Sequence, residues 1–141
     1  MQERTGNWPE KESPVKVPET VLAAMRRANS LFEAEVVGKC NIDALDLIYT
    51  ANARVLPPGA PMIVGREGIK AFWKHAIESL GVQKAVMTGL EAEEFEDRIV
   101  EIGKAQLELA SGQTVEVKYV VVWRIEGEHW KWAIDIWNMN G

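Results

Sequence analysis

The sequence predicts a single α+β domain in which three N-terminal helices pack on a curved antiparallel sheet. In the first part of the chain, apolar residues recur every three to four positions, which is the helical period. From about residue 84 the pattern changes to β-branched and aromatic segments separated by short turns. With 141 residues, 47% of them hydrophobic, the chain has the size of one domain that buries a core.

Proline and glycine mark the ends of the predicted helices. The first helix is expected over 18–38, because proline is tolerated at an early helical position and glycine stops a helix. The second is expected from Asn41, a favourable N-cap residue, to just before Asn52, with Tyr49 on its apolar face. The third follows Gly65 and ends at residue 81. Residues 1–18 are rich in charge and proline and predict a flexible arm that carries Trp8, so the folded domain is expected over 19–141.

Prolines between residues 57 and 61 predict an extended connection, with short strands at 54–56 and 62–64 on either side. Four longer strands then form a meander, because each apolar segment ends at a plausible hairpin turn. These strands are expected at 84–95, 98–109, 115–126 and 129–138.

The last two strands carry large apolar residues on both faces. In 117–125, Tyr119 and Trp123 alternate with Val120 and Val122. Plain alternation in the final strand groups Trp130, Trp132, Ile134 and Ile136 on one face, opposite Ala133, Asp135 and Trp137. Because three helices cover only one face of a sheet, the sequence predicts a homodimer through the other face.

Charge and motif content exclude several classes of partner and cofactor. A net charge of −5 and a pI near 5.1 disfavour nucleic acid and anionic membranes. The single cysteine, Cys40, excludes an intramolecular disulfide, and no signal peptide or membrane-spanning stretch is visible, so we expect a cytoplasmic protein. His75 and His129 lack the spacing of metal ligands, and no phosphate-binding or dinucleotide motif occurs. We therefore expect neither metal nor cofactor.

Several segments together resemble a known family. The stretch 49–61 (YTANARVLPPGAP), the helix start at 65–73 and the ending 135–138 (DIWN) are similar to the SnoaL-like branch of the nuclear transport factor 2-like superfamily, a cystatin-like group that includes DUF4440-type domains. The resemblance covers about residues 20–140. It implies a conical fold with a lipophilic pocket between the helices and the concave sheet face, commonly in dimers. Because this fold carries isomerases, cyclases, dehydratases and oligomerisation domains, it implies no single activity.

The resemblance also suggests where chemistry takes place. Ketosteroid isomerases of this superfamily use a carboxylate base, a tyrosine and a protonated aspartic acid. Those positions fall on Pro57, Glu33 and Val121, so we expect no ketosteroid isomerase activity. The polyketide cyclases instead resemble a design with one aspartate on the last strand, and that position is Asp135.

Asp135 is therefore the predicted catalytic residue. A poorly solvated carboxyl group has a raised pKa and can both take and give a proton. Alternatively, Asp135 braces the fold by bonding the backbone or an arginine such as Arg54 or Arg124. The predicted pocket is lined by Phe32, Leu56, Met62, Trp73, Tyr119, Val121, Trp123 and Trp137.

Two functions follow from these residues. The first is a pocket protein that binds a lipophilic, polyketide-like or steroid-like compound, with cofactor-free proton transfer of the isomerase, cyclase or dehydratase type. The second is a non-catalytic dimerisation or adaptor domain whose own side chains fill the cone. Ligand-induced thermal stabilisation separates the two, since only an unfilled pocket binds lipophilic compounds.

Overall fold

The computed structural model describes residues 15–140 and contains a long curved sheet with all of its helices on one face. The helices are α1 (Glu19–Leu31), a π-helix that continues it (Phe32–Val37), a 3₁₀ helix (Ile42–Leu47) and α2 (Arg66–Leu80). The strands are β1 (Val15–Lys16), β2 (Tyr49–Leu56), β3 (Ile63–Val64), β4 (Val82–Phe95), β5 (Arg98–Leu109), β6 (Thr114–Glu126) and β7 (His129–Met139).

The strand order is β1-β4-β5-β6-β7-β2-β3, so the four long strands form the predicted antiparallel meander. The strand β2 adds to the edge of β7 in parallel, and β1 and β3 are short edge strands. This arrangement confirms the predicted α+β cone with helices packed on a curved antiparallel sheet.

The first and third predicted helices are confirmed, but the second prediction was wrong beyond Ile48. The 3₁₀ helix stops at Leu47, and Tyr49 begins a strand in register with Trp132. The backbone N–H of Trp132 donates to the carbonyl of Ile48 at 2.7 Å, so pairing with β7 satisfies this backbone. A short apolar run is compatible with a helix or with a strand, and pairing with β7 makes this one a strand.

The predicted arm extends too far towards the domain. Val15–Lys16 pairs with residues 93 and 94 of β4, and Val17 is 7% exposed within the core. Residues 15–17 therefore belong to the folded body. The remainder of the predicted arm, including Trp8, lies outside the described residues.

The core fills the concave side of the sheet and is built from aromatic side chains. Phe32 lies 5.0 Å from Trp73 and 5.2 Å from Trp132, measured between ring centroids. Trp132 also packs against Tyr49 at 5.0 Å and against Trp123 at 6.2 Å. These rings join the π-helix and α2 to the strands β2, β6 and β7, so they fix the position of these helices over the sheet.

A β-bulge in β7 changes the predicted facing of the last strand. Trp123 pairs with Trp132, whereas Val121, two residues earlier, pairs with Asp135, three residues later. The extra residue moves Trp132 to the same concave face as Asp135, and it leaves Ile134 on the outer face. The predicted grouping of Trp132 with Ile134 was therefore wrong, because strict alternation does not hold across a bulge.

The opposite, outer face of the sheet carries apolar residues, as the alternation in β6 predicted. These residues lie in register on three adjacent strands and are Val100, Ile102, Val120, Val122, Ile134 and Ile136. Ile102 is 40% exposed and the others are half-buried, and none of the described helices covers them. Between residues 15 and 140, no helix is long and apolar enough to cross a membrane.

Candidate functional site

Asp135 lies on the concave face of β7 and is 5% exposed. The hydroxyl of Tyr49 donates to Asp135 Oδ2 at 2.5 Å. The indole N–H of Trp73 donates to the Tyr49 oxygen at 3.1 Å. Because the Tyr49 oxygen accepts the indole proton, its own proton points to Asp135. Among the described side chains no second donor reaches Asp135, so Oδ1 is left for another partner.

The environment of Asp135 shifts its protonation equilibrium. Burial raises the pKa of Asp135 to about 7, the hydrogen bond from Tyr49 opposes this rise, and the charge of Glu101 adds to it. Burial and the neighbouring charge of Asp135 raise the pKa of Tyr49 well above its usual value, so Tyr49 remains a donor. Asp135 is thus a carboxyl group that exchanges a proton near neutral pH.

The structure contradicts the alternative in which Arg54 or Arg124 braces Asp135. Arg54 is in register with Ile134 on the outer face, and Arg124 is exposed on the same side. Neither arginine is an ion-pair partner of Asp135. The brace that holds this carboxyl group is Tyr49, which the sequence analysis had placed on a helix.

A small cavity of about 50 Å³ lies beside Asp135 and is almost entirely apolar. Of the predicted pocket residues, Phe32, Trp73, Tyr119 and Trp137 line this cavity together with Asp135. A void of this size holds one or two water molecules or a small part of a ligand.

The other predicted pocket residues lie elsewhere. Val121 and Trp123 are 1% and 0% exposed and belong to the packed core behind the cavity. Leu56 pairs with Ile136 on the outer side of the sheet, because β2 runs parallel to β7 in that register. Met62 is 53% exposed, since the proline-rich connection carries it to the sheet edge. None of these four residues is part of the candidate site.

A second buried carboxylate, Glu101 on β5, was not found by the sequence analysis. It is 4% exposed and accepts three hydrogen bonds. Tyr119 Oη donates at 2.7 Å, Trp123 Nε1 at 3.0 Å and Asn29 Nδ2 at 3.3 Å. Asn29 in turn accepts a hydrogen bond from Trp132 Nε1 at 3.2 Å. The available signal was one charged residue within the alternating set of residues 99, 101, 103, 105 and 107, whose other members are apolar or glycine.

Glycines make room for this second carboxylate. A Cβ atom on Gly103 would lie 2.4 Å from Cζ of Tyr119 and 2.7 Å from the carbonyl oxygen of Thr88. A Cβ atom on Gly89 would lie 2.8 Å from Oε2 of Glu101. Both positions therefore require glycine for the Tyr119 ring and the Glu101 carboxylate to occupy their places.

A larger cavity of about 720 Å³ lies between α1 and β4, and Glu101 and Glu33 both line it. The carboxylate of Glu33, in the π-helix, accepts the backbone N–H of Met87 at 2.5 Å. Met87 lines this cavity and also the smaller one at Asp135. Met87 is the one described residue that lines both cavities.

Comparison with known proteins identifies the family. The model of the SnoaL-like domain family matches residues 28–133. Among curated protein sequences, none matches this chain. Similar solved structures include a ketosteroid isomerase-like protein from Erwinia carotovora atroseptica, at 16% identity and a TM-score of 0.71 over 89% of this chain and 99% of that one.

Two further structures show the same fold. A type 2 hexachlorocyclohexane dehydrochlorinase is 19% identical, with a TM-score of 0.66 over 86% of each chain. A conserved protein from Planctomyces limnophilus is 18% identical, with a TM-score of 0.69 over 86% of this chain and 99% of that one. At these identities the likeness establishes the shared cone and leaves the chemistry to the residues of each site.

Proposed function

Because the chain belongs to the SnoaL-like domain family, we propose that it binds a lipophilic, ring-containing compound inside the cone and that Asp135 transfers a proton on it without a cofactor. One observation carries the proposal. Asp135 is a buried carboxyl group beside an apolar cavity, and its pKa of about 7 lies where a single group acts as both base and acid.

The proposed reaction is a proton shift next to a carbonyl group. Ionised Asp135 removes a proton from an acidic carbon of the substrate through Oδ1, and the electron pair moves into an enolate. The protonated Asp135, whose proton exchanges with water, then gives a proton to a different carbon, so the sum is an isomerisation. Tyr49, held by Trp73, keeps Oδ2 in place and stabilises the ionised form of Asp135 between turnovers.

The test measures the titration of Asp135 and the exchange of substrate protons. We expect NMR titration to give a pKa near 7 for Asp135, assigned with Asp135→Asn. With a panel of lipophilic cyclic ketones that carry an acidic carbon, in heavy water, we expect deuterium incorporation that falls by at least ~10²-fold in Asp135→Asn. The matched control is Asp97→Asn, whose side chain is 70% exposed near a turn. A pKa near the ordinary 3.8, or equal exchange in Asp135→Asn, would contradict the proposal.

The size of the cavity favours a second candidate, a non-catalytic adaptor whose side chains fill the cone. Phe32, Trp73 and Trp132 pack within contact distance and leave only about 50 Å³ beside Asp135. Thermal denaturation with a set of lipophilic compounds separates the two functions. Stabilisation by some compounds supports a ligand-binding cone, and the absence of any shift supports the adaptor.

We also propose that the outer sheet face mediates a homodimer. The apolar patch across β5, β6 and β7 is continuous, and a two-fold axis lets the same patch meet itself. Burial of such a patch is favourable by about 25 cal/mol per Å². A second copy of the chain is therefore the occupant that we propose for this face.

Light scattering after size exclusion tests the dimer. We expect Ile102→Glu, on the β5 side of the patch, to convert the dimer into a monomer, because a charge would be buried in an apolar contact. Leu80→Glu, at the end of α2 and 63% exposed, is the control that stays dimeric. A monomeric wild-type protein at about 100 μM would contradict an interface of the standard size and affinity.

A further inference from the structure

The cavity at Asp135 is too small for the ligand that the proposed function requires. It measures about 50 Å³, whereas sites for drug-sized ligands begin at roughly 300 Å³. The neighbouring cavity between α1 and β4 measures about 720 Å³ and shares one lining residue with it, Met87. The ligand body thus has a place to lie, on the far side of Met87 from Asp135.

We propose that the larger cavity is a binding site for an elongated apolar molecule with a hydroxyl or amine group, and that Met87 moves aside to let its reactive end reach Asp135. This proposal rests on the proposed function for the reaction itself. The binding site and the class of ligand are independent of whether Asp135 carries out catalysis.

Met87 has the properties of a movable partition. Methionine is unbranched, with three rotatable side-chain bonds, so it changes shape at low cost. The backbone of Met87 is held by pairing with Ala105 and by the Glu33 carboxylate, so movement is confined to the side chain. The side chain is half-buried and borders both cavities, so its rotation is the movement that the proposal requires.

The lining of the larger cavity selects the ligand. Val17, Leu22 and Met25 supply an apolar wall, and Glu33 and Glu101 supply acceptors near the partition. A carboxylate has about four acceptor positions. Glu101 uses three of them within the described residues, and Glu33 uses one on the Met87 N–H, so both have capacity for a ligand donor.

The charge of the residues that line the larger cavity also favours a ligand with a hydrogen-bond donor. Four glutamates and two basic residues line it, a formal balance of −2, and one of the basic residues, Arg26, is paired with Glu19 at 2.8 Å. Neither Glu33 nor Glu101 forms an ion pair with a described residue of the chain. A hydroxyl or ammonium group is therefore favoured near these carboxylates, and an anionic ligand is repelled.

Methionine methyl groups report directly on this site. The chain has five methionines, of which Met25 and Met87 line the cavity, whereas Met62 and Met139 are exposed elsewhere, at 53% and 45%. In full-length protein with ¹³C-methyl methionine, assigned by Met→Leu variants, we expect octan-1-ol and octylamine to shift the Met25 and Met87 signals only. The absence of shifts at both of these methyl groups would overturn the proposed site.

A filled-cavity variant separates specific from general binding. Leu22→Trp places an indole in the apolar wall, and we expect it to weaken binding of both probes at least tenfold. Leu80→Trp, at an exposed position on α2, is the matched control and keeps the wild-type affinity. If Leu22→Trp is folded by its amide spectrum and binds as the wild type does, the cavity is not the site.

The class of ligand is tested by a third probe of the same length. We expect octanoate to bind at least tenfold more weakly than octan-1-ol, and Glu33→Gln to reduce that difference. Equal or tighter binding of octanoate would overturn the predicted preference for donors.

The role of the partition is measured at Asp135. We expect octan-1-ol to change the pH midpoint of the Asp135 signal in the wild type, and Met87→Ala, which opens the partition, to enlarge that change. An unaltered midpoint in both proteins, with binding intact, overturns the connection to Asp135. If the probes bind but Asp135→Asn leaves proton exchange unchanged, the proposed function fails and the binding site stands.

Discussion

Two carboxyl groups lie in one row across the concave face, Glu101 on β5 and Asp135 on β7, with Val121 of β6 between them. They are 4% and 5% exposed, so burial does not distinguish them. Glu101 accepts three hydrogen bonds from neutral donors, whereas Asp135 accepts one, from Tyr49. The comparison shows that Glu101 is held on both oxygens by donors of the chain, whereas Asp135 keeps one oxygen for another partner.

The largest difference is expected in stability when each carboxyl group is removed. Glu101→Leu leaves three buried donors without an acceptor, at about 1–3 kcal/mol each, so we expect a loss of about 5 kcal/mol. Asp135→Asn keeps a polar group of the same shape next to Tyr49 and is expected to cost about 1 kcal/mol. Urea denaturation at pH 6, followed by tryptophan fluorescence, measures both. Equal losses of unfolding free energy in the two variants would contradict the difference between Glu101 and Asp135.

The pH dependence of stability is the second test and concerns Asp135 alone. Its folded pKa of about 7 lies above its ordinary value of 3.8, so the native state holds the proton more tightly than the unfolded chain. The stabilisation is complete below about pH 4 and is lost as pH rises through 7, by up to about 4 kcal/mol. We expect this decline in the wild type but not in Asp135→Asn, measured by urea denaturation at several pH values. If the unfolding free energies of the wild type and of Asp135→Asn change with pH in the same way, this prediction is contradicted.

Gly103→Ala tests the packing around Glu101. The added methyl group meets the Tyr119 ring and the Thr88 carbonyl, so we expect a loss of about 2–3 kcal/mol from overpacking. Because the contact is on the Glu101 side, the NMR titration of Asp135 should stay as in the wild type. A shift of the Asp135 midpoint in this variant would show that the two carboxyl groups act as one network.

The smallest expected effect is that of the tyrosine hydroxyl groups. Tyr49→Phe removes the hydrogen bond that stabilises ionised Asp135, so we expect the pKa of Asp135 to rise further, by about one. Tyr119→Phe is the matched control, because its hydroxyl donates to Glu101, and we expect it to leave the Asp135 titration nearly unchanged. An equal response to both variants would show that Tyr49 has no special role.

The fold could be predicted because hydrophobic periodicity and turn residues agree along most of the chain. Helix α2 lies between Gly65 and Gly81 as expected, since Gly81 adopts a left-handed conformation with φ of 67° that favours glycine. The strand β2 was shortened in the prediction, because its pairing with β7 involves residues eighty or more positions apart. Local pattern contains no information about such a partner.

The site was predictable only in part, for related reasons. Asp135 and four of its pocket neighbours were identified from the resemblance to the SnoaL-like family, and the structure brings them together at one cavity. Tyr49 was missed because it was assigned to a helix, and Glu101 because the donors that satisfy it when buried come from α1 and β6, between 18 and 72 positions away. A hydrogen bond between residues 86 positions apart, as between Tyr49 and Asp135, is a property of tertiary structure.

The bulge in β7 has a consequence for comparing this chain with its relatives. Between the pairs Trp123 with Trp132 and Val121 with Asp135, β7 is one residue longer than β6. A relative without that residue would present the amino acid aligned to Asp135 on the outside of its sheet, although every flanking position matches. Transfer of a catalytic role along this strand therefore requires counting the residues between the tryptophan and the aspartate, since a single insertion or deletion exchanges the interior and the exterior of the domain.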